Sequence, residues 1–224
     1  NTEMEQYGRK AVTYQEEWIR LILLQKPVLS TPQLIAVAIE ELGNIYINIH
    51  RYEDALSNFQ KAADRYSSNE NDYEKRDFSY QLMDLYKKVV TICIKHTQNY
   101  NLALKYQLLR HQCQLEIFGE SLAIGSIVCD GVVRTVADSY FSVADCYLKT
   151  EQYVATYKHV VKGLEYMNLS KELLLQYGRT VVRHDDTVSL IPATAEDSLL
   201  KEYEFRIKEK EATLKVIEPL LEKS

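Results

Sequence analysis

The densest chemistry in the chain sits in three adjacent residues, His184-Asp185-Asp186, an imidazole beside two carboxylates. That grouping suits proton transfer or a divalent cation when a second set of ligands faces it. No such set is legible. His50, His96, His111 and His159 are scattered and none forms HxxxH or HxH, while Cys93, Cys113, Cys129 and Cys146 lie 20, 16 and 17 residues apart and give no CxxC pair. GxSxG and P-loop patterns are missing as well. The His-Asp-Asp triplet therefore reads as a solvated turn, and the expectation is a protein that is not an enzyme and holds no metal or cofactor. Cysteines spaced this way read as buried thiols of a reducing, intracellular compartment, cytoplasmic or nuclear.

Composition narrows the fold. The 224 residues are 46% hydrophobic and 26% charged, with only 7 Gly and 4 Pro, so helices are favoured over barrels and Gly-rich phosphate cradles. A net charge of -5 argues against a nucleic-acid binder, which would present a basic stripe. No apolar run approaches about 18 residues, so no membrane span is expected, and no secretion signal opens the chain. The chain starts at Asn1 without a Met, as an excised fragment would.

Periodicity supplies the elements. Tyr7, Ala11, Tyr14, Trp18 and Leu21 step by three or four residues along one face of a first helix, running to about Gln25. Thr31-Pro32 reads as N-cap and N1 of a second helix reaching Ile49, and after His50-Arg51 a third covers Tyr52 to Tyr66. A fourth ends near His96, a fifth runs from about Leu102 to Gly119, and others cover Ser126–Lys149 and Tyr153–Leu169, with an extension to Tyr177. Gly178 to Thr194 breaks the pattern as a linker or a small hairpin of Val pairs. Thr194 and Asp197 form a capping box opening a last helix, Ala195 to about Glu222. Its seam Tyr203, Ile207, Lys210, Leu214, Ile217, Leu221 is apolar except at Lys210.

One segment recurs. Leu42, Gly43, Tyr46, Tyr52, Ala55, Phe59 and Ala62 are matched by Val143, Ala144, Tyr147, Tyr153, Thr156, Val160 and Gly163. A middle copy matches at Val90, Thr91, Ile94 and Tyr100, but Gln107 falls where Phe59 stands; a turn shortened by one residue would restore Leu102, Tyr106 and Leu109 to the buried face. Leu42, Gly43, Tyr46, Ala55, Phe59 and Ala62 make this hairpin resemble the tetratricopeptide repeat family, with Ile39 in place of its usual Trp. Unit starts at Ala36, Asp84 and Ala137 give intervals of 48 and 53 residues, longer than the usual repeat and similar to a long-repeat subclass. The resemblance implies an all-α fold, a right-handed α-solenoid of antiparallel hairpins over residues 1–177, clearest at 36–69, 84–117 and 137–170. It would be followed by the 178–194 segment and a capping helix over 195–224.

The same resemblance implies groove-facing positions. They are Val37, Glu40, Asn44, Ile47 and Asn48 in the first copy, Leu85, Lys88, Ile92, Lys95 and His96 in the second, and Asp138, Phe141, Asp145, Leu148 and Lys149 in the third. Asn44 and Asn48 can hydrogen-bond a peptide backbone in both directions, and Glu40, Asp138 and Asp145 can meet a Lys or Arg. Glu40 stands where the family's chaperone-tail clamp needs a Lys, so that ligand is not expected. The implied function is an adaptor that takes a basic or mixed-charge peptide or helix from another protein. The alternative is a subunit docking, or self-associating, through its last helix.

Overall fold

The computed structural model describes residues 2–24, 32–67, 72–123, 130–182, 188–191 and 197–221. The described residues are all helical apart from one short hairpin and the turns. Helices α1 (Thr2–Leu24), α2 (Pro32–Asn48), α3 (Tyr52–Ser67) and α4 (Asp72–Ile92) come first, and a π-helical turn, Cys93–Thr97, closes α4. They are followed by α5 (Tyr100–Ala123), α6 (Asp130–Lys149), α7 (Tyr153–Tyr177), strands β1 (Arg179–Val182) and β2 (Val188–Ile191), and α8 (Ser198–Leu221). The strands pair antiparallel with Val182 opposite Val188, in line with the small hairpin, one of the two readings of this stretch. His184-Asp185-Asp186, the Thr31 cap and Cys129 fall outside the described residues.

Compactness divides the chain inside α5, into residues 1–113 and 114–224. In the first unit α1 runs antiparallel to α2, with Gly8 against Ile49, Ile22 packed with Ile35, and Gln15 Nε2 donating to the Ala38 carbonyl at 2.9 Å. The core then passes through Ala36, Leu42 and Tyr46 of α2, Ala55, Phe59 and Ala62 of α3, and Leu85, Val89 and Cys93 of α4 and its π turn. Gly43 is needed here because a Cβ would stand 2.6 Å from the Phe59 ring, which is itself completely buried.

The second unit uses the same device with the partners exchanged. Gly163 on α7 leaves room for Phe141 on α6, where a Cβ would lie 2.5 Å from the ring. Leu200, Tyr203 and Ile207 of α8 join Ala137, Phe141, Val160, Leu164 and Met167 in one core, so α8 belongs to this unit. Asp197 precedes the first turn of α8, its Oδ1 accepting from the Leu199 N–H at 2.8 Å, and Thr194 of the capping-box pattern lies outside the described residues.

Candidate functional site

The first-helix faces are set by the turns behind them. α2 ends with His50 in the left-handed region (φ 60°), and the Arg51 N–H bonds the Tyr46 carbonyl at 2.9 Å. α6 ends identically, with Glu151 at φ 59° and the Gln152 N–H on the Tyr147 carbonyl at 3.0 Å. These are Schellman closures, and each second helix then begins on a tyrosine, Tyr52 or Tyr153. The middle hairpin also has its left-handed residue, Gln98 (φ 51°), two positions before Tyr100, where α5 starts. Left-handed residues and helix starts thus recur at 48 and 53 residues, the intervals read from the sequence.

The middle turn is therefore not shortened. The surplus residue is absorbed earlier, in the π turn, where the Asn99 N–H reaches back to the Cys93 carbonyl at 3.0 Å. A π-bulge rotates everything upstream of it by one residue relative to the turn. Before Cys93 the copies correspond at 47 residues, pairing Ala38, Leu42 and Tyr46 with the buried Leu85, Val89 and Cys93. Leu85 and Ile92, expected to face a ligand, are consequently buried in the core; the exposed counterparts of Val37, Glu40 and Asn44 are Asp84, Lys87 and Thr91. The better apolar match of Val89, Val90 and Cys93 to Leu42, Gly43 and Tyr46 was the available signal.

On α2, Val37 and Asn48 are exposed, Asn44 is half-buried, and Ile47 is half-buried against the core. No hydrogen bond among the described residues engages the Asn44 or Asn48 amide. Glu40 is committed internally: its carboxylate accepts from Lys88 Nζ at 2.7 Å and from the Tyr66 hydroxyl at 3.1 Å. Burial opposes the Lys88 charge, but the hydrogen bond and charge of Glu40 outweigh it and raise its pKa. Burial beside the Glu40 carboxylate pushes the Tyr66 phenol well up, keeping it a donor. Lys95 and His96 are exposed at the π turn, and the His96 ring stacks on Tyr52 with centroids 3.9 Å apart.

The corresponding face of α6 is covered by α8. Arg206 pairs with Asp138, and Lys210 Nζ reaches Asp145 Oδ1 at 3.1 Å while lying 5.4 Å from the Phe141 ring centroid. Lys210, the polar break in the α8 seam, is thus explained by a carboxylate and an aromatic face opposite it. Phe141 is only 3% exposed, because the glycine of this hairpin lies on α7 and the aromatic that fills the space must come from α6. Tyr203 anchors the same helix, donating to Asp130 Oδ2 at 2.9 Å with Ser170 Oγ 3.0 Å from its oxygen. Leu148 and Lys149 remain exposed at the end of α6.

Among the described residues no three His, Cys, Asp or Glu side chains gather as metal ligands, and no helix is long and apolar enough to cross a membrane. No protein-family model matches the chain, and no curated protein matches it either.

Proposed function

We propose that the chain is a non-catalytic interaction scaffold of tetratricopeptide-like hairpins, each unit a short solenoid, and that its first unit receives a peptide or helix from a partner protein. The observation that carries this reading is the recurrence of a left-handed residue at His50, Gln98 and Glu151, each two residues before a tyrosine that opens the second helix. Repeated hairpins of this kind keep a row of first-helix side chains clear of the core, and that row is their binding surface.

The receptive row is assigned to α2 and α4. Val37, Asn44 and Asn48 on α2 join Asp84, Lys87 and Thr91 on α4, offering an apolar contact, two amides, and charges of both signs. A mixed-charge segment of a partner, in an intracellular setting, fits that chemistry better than a purely basic one, because Glu40, Asp138 and Asp145 are spent on Lys88, Arg206 and Lys210. Amides fix a peptide backbone by donating and accepting at once, so they position the ligand while the flanking charges set its register. Docking through the α8 seam is the poorer alternative, since Tyr203, Ile207 and Ile217 are buried within the second unit.

The test is selection of binders from a displayed random-peptide library on the immobilised chain. Combined Val37→Arg, Asn44→Ala and Asn48→Ala should weaken selected peptides at least tenfold with unchanged far-UV circular dichroism. Selected peptides that bind the triple variant as well as wild type would overturn the assignment.

A further inference from the structure

The periodic stripe that runs along one face of α1 is not the face that α1 buries. Val12 and Ile22 of α1 are buried, with Ile19 and Gln15 of the same row turned toward α2, whereas Tyr7 and Tyr14 are 70% and 75% exposed and Trp18 and Leu21 are exposed with them. The two rows differ by one residue, about 100° around a helix. A helix with neighbours on both sides buries two such rows: α3 buries Ala55, Phe59, Ala62 and Tyr66, and also Leu56 and Ala63, each one position further on. α1 therefore has one row satisfied by α2 and a second, apolar row built like the first row of α3 and left open.

The spacing of that row points to its occupant. Tyr7, Ala11, Tyr14, Trp18 and Leu21 step by four, three, four and three, the seam of a two-helix packing. We propose that a second copy of this chain covers it, α1 lying antiparallel on α1 about a two-fold axis. In that arrangement the small Ala11 meets Tyr14 of the second copy and Trp18 meets its Tyr7, each contact occurring twice. The flank away from α2 carries Lys10 and Glu17. Antiparallel pairing sets Lys10 of one copy beside Glu17 of the other and the reverse, so the surface is complementary to itself in charge as well as in shape. At about 150–250 Å² per buried aromatic, the row offers on the order of 500 Å² per copy, about 1,000 Å² for the pair, enough for a specific if modest interface.

Sedimentation equilibrium of the full chain from 1 to 100 μM tests this. A dimer should form across that range; Trp18→Glu and Tyr14→Glu should each raise the dissociation constant at least tenfold while far-UV circular dichroism stays at wild type. Lys10→Glu alone and Glu17→Lys alone should each weaken the dimer, and the two together should restore it. A chain monomeric throughout, or a dimer indifferent to Trp18→Glu and Tyr14→Glu, overturns the proposal. Single charge reversals that weaken the dimer without rescue by the pair overturn the antiparallel register.

Discussion

Phe141→Ala separates a groove residue from a core residue at the position where sequence and structure differ most. On a ligand-facing surface, removing the ring would leave stability within about 0.5 kcal/mol of wild type. Buried against Gly163 and beneath Lys210, it should cost about 3–5 kcal/mol, a large part of a typical total of about 5–15 kcal/mol. Gly163→Ala sharpens the comparison. In the wild-type background its Cβ would meet the ring at 2.5 Å, and overpacking of about 1–3 kcal/mol exceeds the gain of about 1 kcal/mol from replacing a mid-helix glycine. In the Phe141→Ala background the same methyl enters vacated space and should stabilise. The pair should therefore couple by more than about 1 kcal/mol in a double-mutant cycle. Because two compact units need not unfold together, the readout is hydrogen exchange of α6 and α7 amides, with the exposed Phe205→Ala as control. A Phe141→Ala cost under about 1 kcal/mol, or strict additivity with Gly163→Ala, would refute the exchanged glycine-aromatic packing.

Burial, with the Asp130 carboxylate alongside, pushes the Tyr203 phenol up to about 12, from about 10 unfolded. Folding therefore favours the neutral phenol: this stabilisation is complete below pH 10 and lost as pH rises from about 10 to 12, so α8 amide protection should fall there in wild type and stay flat in Tyr203→Phe. Burial pushes the Cys93 thiol up to about 11, so it should resist iodoacetamide at pH 7.5 and react only on unfolding. The Lys210–Asp145 pair, half open to water, should show a coupling of only about 0.2–1 kcal/mol in an alanine double-mutant cycle; a larger value would mean that α8 is held by charge instead of by Tyr203 and Ile207.

Much of the fold was legible because it rests on local rules. Pro32 opens α2, tyrosines open α3 and α7, and the glycine–aromatic pair Gly43–Phe59 reads directly as a close helix crossing. The faces of the site were less legible, for three identifiable reasons. A π-bulge leaves no mark in residue type, so one surplus residue before Gln98 shifted Leu85 and Ile92 from core to groove in the sequence reading. An exchange of glycine and aromatic between paired helices preserves the apolar pattern while moving Phe141 inside. The pairing of Asp138 and Asp145 with Arg206 and Lys210 spans more than sixty residues, beyond any local periodicity. The α1 stripe shows the converse: the strongest apolar period of that helix marks an open face, because Gly8 and Gln15 dilute the row that α2 covers.

The most direct test of the scaffold reading is a hydrogen-exchange footprint of a library-selected peptide bound to the chain. Protection should increase along α2 and α4, around Val37, Asn44, Asn48 and Thr91, and leave the amides of α6 unchanged. Protection gained on α6 and α8, or none on α2, would contradict it.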